Sequence, residues 1–334
     1  MRGHGNTWAL VLAAGEGNRL RNLTMTATGL AVPKQFCSLR GGPSLLNEAL
    51  LRAWSIVPPE RTCTIVAAQH RRWWHTVMDS LPAANVIVQP GNRGTAIGLL
   101  LSLLHITRFD PLATIVVLPS DHHVRDEKRL LAALQNACAE ARSLPAAIVI
   151  LGIEPAEADP ELGYIVPRLR RGYDSLEVQR FVEKPVPADA RELIKQGAVW
   201  NSFIIVASAS ALFAIHENRC REVVFAMRLA FSRDQESAGR EHAMERLYET
   251  LPALDFSRDI LPGQESRLRV LRVPQCGWSD LGTPKRVADV LRRLPQEMPA
   301  AALRHAGGAC LDLATQHAVL PCLQAPQILA TAVS

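Results

Sequence analysis

Short runs rich in β-branched residues alternate with longer stretches of helical period through the first half of the chain, and this alternation narrows the fold most. The runs fall at residues 8–14 (WALVLAA), 62–68 (TCTIVAA), 85–89 (NVIVQ), 114–119 (TIVVLP) and 147–153 (AIVILGI). Between them, at 44–56, 71–80, 95–108 and 127–142, apolar residues recur at the spacing of one helix face. Such a pattern builds crossover units on a mixed, mostly parallel central sheet with helices on both faces, an α/β class. Sheets of this kind bind ligands beyond the carboxyl ends of their strands. Residues 14–21, 89–95 and 120–123 all fall at such ends. The second half loses the rhythm. YIVPRL, EVQRFVEKP and VWNSFIIVA read as strands among helical stretches at 187–197, 208–216 and 220–250, an inserted α+β part. A strand RLRVLRVP, a turn GWSDLGTP and a helix at 284–293 follow.

With 334 residues and 48% hydrophobic composition the chain can bury a substantial core. A net charge of +5 permits an anionic ligand, but basic and acidic residues are mixed along the chain, which does not indicate nucleic-acid binding. The seven cysteines are odd in number and lack any C-x-x-C pair, so neither a disulfide framework nor a zinc site is expected, and a reducing cytoplasm fits best. The apolar stretch at 8–14 is too short for a signal peptide and runs straight into a glycine-containing, charged loop. No apolar run reaches the ~20 residues of a membrane helix. A soluble protein with no membrane partner is the expectation.

Three segments carry candidate chemistry. Gly15-Glu16-Gly17-Asn18-Arg19-Leu20 follows a strand and precedes Pro33-Lys34-Gln35-Phe36. Glycines let a backbone offer its N–H groups to phosphates, and Arg19 and Lys34 could offset their charge. A lone G-x-G is weak evidence, and an ordinary glycine turn beside a surface arginine explains it equally well. Leu118-Pro119-Ser120-Asp121-His122-His123 ends a buried strand in an acidic residue, a place from which a carboxylate can hold Mg²⁺. The paired histidines invite a transition-metal reading, but neighbours on a strand or turn point apart and no third ligand follows nearby. Gly277-Trp278-Ser279-Asp280-Leu281-Gly282-Thr283-Pro284 presents a second isolated aspartate, whose plainer role is to cap the next helix, as Ser279 or Thr283 also could.

Taken together with FVEKP at 181–185 and WNS at 200–202, these segments share the order and approximate spacing of one family. The chain resembles the sugar-1-phosphate nucleotidyltransferases, and among them the mannose-1-phosphate guanylyltransferases, through GEGNRL, PKQF, GNRGTA, PSDH, ELGYI, FVEKP, WNS and GWSDLG between residues 8 and about 293. Three departures stand out: a long 20–33 loop without the usual W-P-L-S-R, a shortened T-G-Y-G-Y-I segment, and Asn92-Arg93-Gly94 in place of Arg-Asn. The resemblance implies a Rossmann-like nucleotidyltransferase fold over 1–293, with a nucleotide-binding half at 1–153 and a sugar-phosphate-binding half at 154–293. It implies a nucleotide site at Ala13, Ala14, Gly15, Gly17, Gln89 and Gly94, catalytic cations at Arg19, Lys34 and Lys184, sugar-phosphate ligands at Gly163, Glu183 and Asn201, and Mg²⁺ on Asp121 and Asp280.

The expected reaction joins a nucleoside triphosphate, GTP by this resemblance, to a sugar-1-phosphate, mannose-1-phosphate by the same token, with release of pyrophosphate. A uridylyl- or thymidylyltransferase acting on glucose-1-phosphate is the alternative within enzymes, since the amide of Gln89 also suits a pyrimidine. A silent nucleotide-sugar-binding regulator is the alternative outside them. Because the family often forms dimers, a homodimer is a further expectation. The tail at 294–334 has no legible motif, and it is shorter than the cupin-type isomerase domain that some members carry.

Overall fold

The computed structural model describes residues 5–26, 28–39, 41–168, 175–238, 240–294 and 322–323. The basic residues at 170–171 and all of the tail after 294 except 322–323 lie outside them.

A nine-stranded sheet organises the chain. Its first strands, β1 (Thr7–Ala13), β3 (Thr62–Ala67), β4 (Val86–Gln89) and β5 (Thr114–Pro119), are parallel and stand in the order β4-β3-β1-β5. Each is followed by a connection that crosses the sheet, including α1 (Leu45–Trp54), α3 (Gly94–Phe109) and α4 (Glu127–Ser143). The two-residue β2 (Ser38–Leu39) lies outside this sheet and pairs in parallel with β11 (Cys322–Leu323). The order then continues β9-β6-β10-β8-β7, with β6 (Ile148–Ile153), β7 (Tyr164–Pro167), β8 (Ser175–Val182), β9 (Val199–Ser208) and β10 (Leu268–Val273). β9 runs antiparallel between β5 and β6, and β7 at the far edge returns to pair with the start of β9, curling this end of the sheet.

Apolar faces close the sheet on both sides. Helices α1, α4, α5 (Pro187–Lys195) and α8 (Pro284–Arg293) contribute to one core, and α3, α6 (Ala209–Glu236) and α7 (Ala243–Thr250) to the other. This is the expected α/β class. Two helical expectations need correction. The segment 71–80 is helical only over α2 (Arg71–Trp74) and then tightens into a 3₁₀ turn at Val77–Ser80. The β-branched pair Thr76-Val77 weakens an α-helix, and Pro82 pushes Leu81 into an extended conformation. The stretch 220–250 is not one helix. Cys220 leaves helical geometry inside α6, and Ala238 and His242 take left-handed backbone (φ 53° and 49°) before α7 starts, where Asp234 accepts the N–H groups of Ala243 and Met244.

The register between β6 and β9 shifts between Ile150 and Gly152, and Gly152 faces Asn201 beyond the shift. A side chain has no room at Gly152: a Cβ there would lie 2.2 Å from Val199 Cγ2 and 2.7 Å from Val270 Cγ2. The irregularity continues on β9, where Phe203 has φ 58° and donates its N–H to Asn201 Oδ1. Substituting Gly152→Ala is therefore expected to cost about 1–3 kcal/mol through overpacking. Urea unfolding checks it, and an unchanged midpoint would show that the strands separate freely here.

Candidate active site

β1 and β5 are neighbours whose connections leave in opposite directions across the sheet, and this switch point is where an open α/β sheet has room for a ligand. Ser120 fastens the two strand ends, donating both its N–H (3.2 Å) and its hydroxyl (2.6 Å) to Leu12 O. The glycine loop after β1 and Asp121 after β5 consequently lie side by side. The loop is shaped from below by Gln35, whose buried amide donates to Ala13 O (3.0 Å) and Gly15 O (2.8 Å). Gly17 has φ 65°, and a Cβ there would stand 2.9 Å from the backbone nitrogen of Lys34.

Asp121 and Asp280 are brought together by an antiparallel bridge between His123 and Ser279, whose N–H groups each donate to the other's carbonyl at 2.9 Å. Lys34 Nζ spans the junction, 3.0 Å from Asp121 Oδ2, 2.5 Å from Asp280 O and 3.3 Å from Leu281 O. Burial pushes the Asp121 carboxyl up, yet the charge and hydrogen bond of Lys34, with a contribution from His122, outweigh it and hold the group below its ordinary range. The Asp280 carboxylate accepts from Gly282 N–H and lies 3.1 Å from Arg286 Nε. Arg286 also donates to Asp159 (2.8 Å), tying Asp280 to the loop before β7. The cap of α8 is Thr283, which accepts from Arg286 N–H, so Asp280 is free of that structural duty. His122 stands edge-on to Trp278, and burial pushes its imidazole down to about 4, which leaves it neutral at physiological pH.

A cavity of about 360 Å³ opens above these strand ends, lined among others by Gly15, Gln89, Gly94, Asp121, Phe203 and Asp255. Gln89 is buried at the end of β4, and Gly98 on α3 leaves space for its amide, since a Cβ there would come within 3.2 Å of Gln89 Oε1. Gly94 has φ 83° and no space at all: a Cβ would fall 2.2 Å from Leu254 O. The segment after α7 clamps the start of α3 here, through Ala96 N–H to Leu254 O, Thr95 Oγ1 to Asp255 and Phe256 N–H to Thr95 Oγ1. Beside the cavity, Gly163, Glu183 and Asn201 converge. Asn201 N–H donates to Gly163 O (2.8 Å), and a Cβ on Gly163 would stand 2.6 Å from Glu183 Oε2. Burial, and then the charge of Asp255, push the Glu183 carboxyl up, opposed by Lys184, Arg19 and Arg258.

Residues 8–297 match the model of the nucleotidyl transferase family. The chain belongs to that family. It is 32% identical over 291 residues to the xanthan biosynthesis protein XanB of Xanthomonas campestris pv. campestris (strain B100), covering 84% of this chain and 58% of that protein. It is 28% identical over 291 residues to the mannose-1-phosphate guanylyltransferase of Escherichia coli (strain K12), covering 83% and 58%. The chain thus spans less than two thirds of the length of these curated relatives. Among solved structures it resembles a crystal structure described as mannose-1-phosphate geranyltransferase from Thermus thermophilus, with a TM-score of 0.72, 28% identity, and coverage of 87% of this chain and 81% of that one.

In this nucleotidyl transferase, Ala14, Gly15, Gln89, Gly94 and Asp121 line one cavity, and Lys34 and Asp280 adjoin it through Asp121. Ala13 and Gly17 belong to the backbone that Gln35 and Lys34 shape. Arg19 and Lys184 stand apart: Arg19 is largely exposed and lies 3.6 Å from Glu161, and Lys184 is exposed with φ 46°. The long 20–33 loop forms a 3₁₀ turn at Asn18–Leu23 and a bridge between Met25 and Ala31. His122 and His123 diverge as neighbours should, His123 Nδ1 lying 3.6 Å from Glu48. Gln35, Arg286 and Asp255 are members of the site for which the motifs gave no role, although Gln35 lies within PKQF and Arg286 just past GWSDLG.

The donors around Lys34 Nζ are all oxygens, a carboxylate and two backbone carbonyls, which is the hard set that Mg²⁺ prefers. Among the described residues no three His, Cys, Asp or Glu side chains gather into a metal cage. That too suits Mg²⁺, which takes one or two carboxylates and completes its shell with water and substrate phosphates. The residues therefore fit the ion.

The raised Glu183 carboxyl gives a prediction with a definite sign. A carboxyl whose pKa is raised by folding contributes stability below its unfolded pKa, and that contribution is lost as pH rises through the folded value. Glu183→Gln, which cannot ionise, should therefore melt at a higher temperature than the parent at neutral pH, with the gap closing as pH falls to about 4. Melting curves across that range check it. A variant that melts lower at neutral pH would mean that the carboxylate is stabilised by its neighbours.

Proposed function

We propose that the protein transfers a nucleotidyl group from a nucleoside triphosphate to a sugar-1-phosphate, releasing pyrophosphate and forming a nucleoside-diphosphate sugar. The observation that carries this reading is the junction of the two aspartate loops under one cavity, with Gly163, Glu183 and Asn201 grouped at its side. GTP and mannose-1-phosphate are the proposed substrates, supported by the eight sequence segments and by the likeness to the mannose-1-phosphate guanylyltransferase of Escherichia coli.

In this reading the base enters the cavity between the glycine loop and Gln89, whose amide offers both a donor and an acceptor to a base edge. The sugar hydroxyls meet Glu183 and Asn201 across the space that Gly163 leaves open. An oxygen of the sugar phosphate attacks the α-phosphorus in line. A new P–O bond forms there as the bond to the bridging oxygen breaks, and pyrophosphate departs with that electron pair. No covalent enzyme intermediate is required. Arg19 and Lys184 reach the phosphates from exposed positions at the rim. Asp121 and Asp280 would hold Mg²⁺, which when bound supplies charge stabilisation to the phosphoryl oxygens. The chain's own contribution is to hold two anions in line within a preorganised polar wall.

The test is pyrophosphate release with Mg²⁺, offering GTP, UTP, dTTP, CTP and ATP against mannose- and glucose-1-phosphate. Turnover is expected with GTP and mannose-1-phosphate. Asp121→Asn is expected to lower kcat at least ~100-fold. Another active pair would keep the chemistry and change the specificity, while no turnover by folded protein would favour a silent nucleotide-sugar-binding relative.

A further inference from the structure

An ammonium group has three N–H donors and no more. Those of Lys34 face three acceptors, Asp121 Oδ2, Asp280 O and Leu281 O, and the side chain is only 7% exposed. Leu281 has φ 48°, a left-handed conformation within the tight turn whose two successive carbonyls both receive the ammonium. Asp280 offers Lys34 its carbonyl, because its carboxylate is engaged by Gly282 N–H and Arg286. A lysine bonded in this way has no N–H left for a phosphate oxygen. It must release at least one acceptor before it can touch a nucleotide.

The oxygens that hold Lys34 are also the hard donors suited to a divalent cation. A monovalent and a divalent cation within about 3 Å of the same carboxylate oxygen repel strongly in a partly buried site. We infer that Lys34 is an exchangeable internal counter-ion, whose ammonium and a divalent cation compete for Asp121, so that Lys34 yields the carboxylate as it turns its N–H groups to the phosphates. This rests on the reading of Asp121 as a metal ligand given above. Two consequences follow from linkage. The divalent cation binds weakly when nucleotide is absent, and nucleotide and cation each raise the other's affinity. Lys34 is also coupled to the glycine loop, because the next residue, Gln35, holds Ala13 and Gly15, and Gly17 packs on the backbone of Lys34. The exchange is therefore felt by the loop that meets the phosphates.

Mn²⁺ binding, followed by the electron paramagnetic resonance of the free ion, tests the inference with and without α,β-methylene-GTP. Lys34→Met is expected to bind Mn²⁺ at least about tenfold more tightly than the parent in the absence of nucleotide. Its coupling between Mn²⁺ and nucleotide should shrink by the same factor. Equal or weaker Mn²⁺ binding by the variant overturns the inference. Asp121→Asn separates the two levels of failure. If it abolishes Mn²⁺ binding in the presence of nucleotide while Lys34→Met tightens nothing, the metal assignment stands and the exchange falls. If it leaves Mn²⁺ binding intact, both fall. A measurement on the parent protein covers the case in which Lys34→Met does not fold. With lysine labelled at ¹³Cε, the Lys34 resonance should shift as Mg²⁺ and the nucleotide analogue bind, and an unshifted resonance at saturation overturns the exchange.

Discussion

Two backbone hydrogen bonds between His123 and Ser279 join parts of the chain that lie far apart in sequence. One part leaves the end of β5 and the other precedes α8. Each bond contributes only about 0.5–1.5 kcal/mol net, so the bridge depends on what packs around it. Trp278 lies against both Trp200 and the His122 ring, and Asp126 N–H donates to Cys276 O a few residues along. Arg286 then extends the junction to Asp159, and Tyr164 fastens that loop in turn by exchanging hydrogen bonds with the backbone of Asp159. Asp121, Asp280 and the loop before β7 are therefore parts of one hydrogen-bonded frame.

The parallel half of the sheet was legible in the sequence because each strand is an apolar run bounded by a helix of clear period, and local pattern suffices for that. The insertion of β9 between β5 and β6 was not, because strand order depends on pairings between distant residues, and the apolar run at 199–207 would suit any central position. At 71–80 helical spacing overstates the helix, because the apolar residues keep that spacing while the β-branched pair and nearby proline work against it. Within the site, the motifs located the glycine loop and both aspartates. They were silent on Gln35 and Arg286, whose roles consist of meeting carbonyl and carboxylate oxygens that only the folded chain delivers. They also grouped Arg19 and Lys184 with Lys34, although the structure separates one buried cation from two exposed ones.

That separation gives the site its electrostatic character. The buried charges are matched in place: Lys34 by Asp121, and Arg286 by Asp159 and Asp280. His122 stays neutral among them because burial outweighs the pull of the two aspartates. Unpaired charge inside a protein is costly, and pairing with further hydrogen bonds is what makes such burial tolerable. The unburied cations Arg19 and Lys184 remain largely solvated, and the partner of Arg19, Glu161, is itself exposed.

Gly94 and Gly163 both exclude a side chain, but against different neighbours. At Gly94 the obstructing atoms are backbone of Leu254, and at Gly163 the nearest is the carboxylate of Glu183. No second substitution can remove a backbone carbonyl, whereas a shorter residue at 183 would admit a methyl at 163. The two walls therefore differ in how they can evolve. The wall at Gly94 resists single-step change, while the wall at Gly163 can be remodelled by a pair of compensating substitutions.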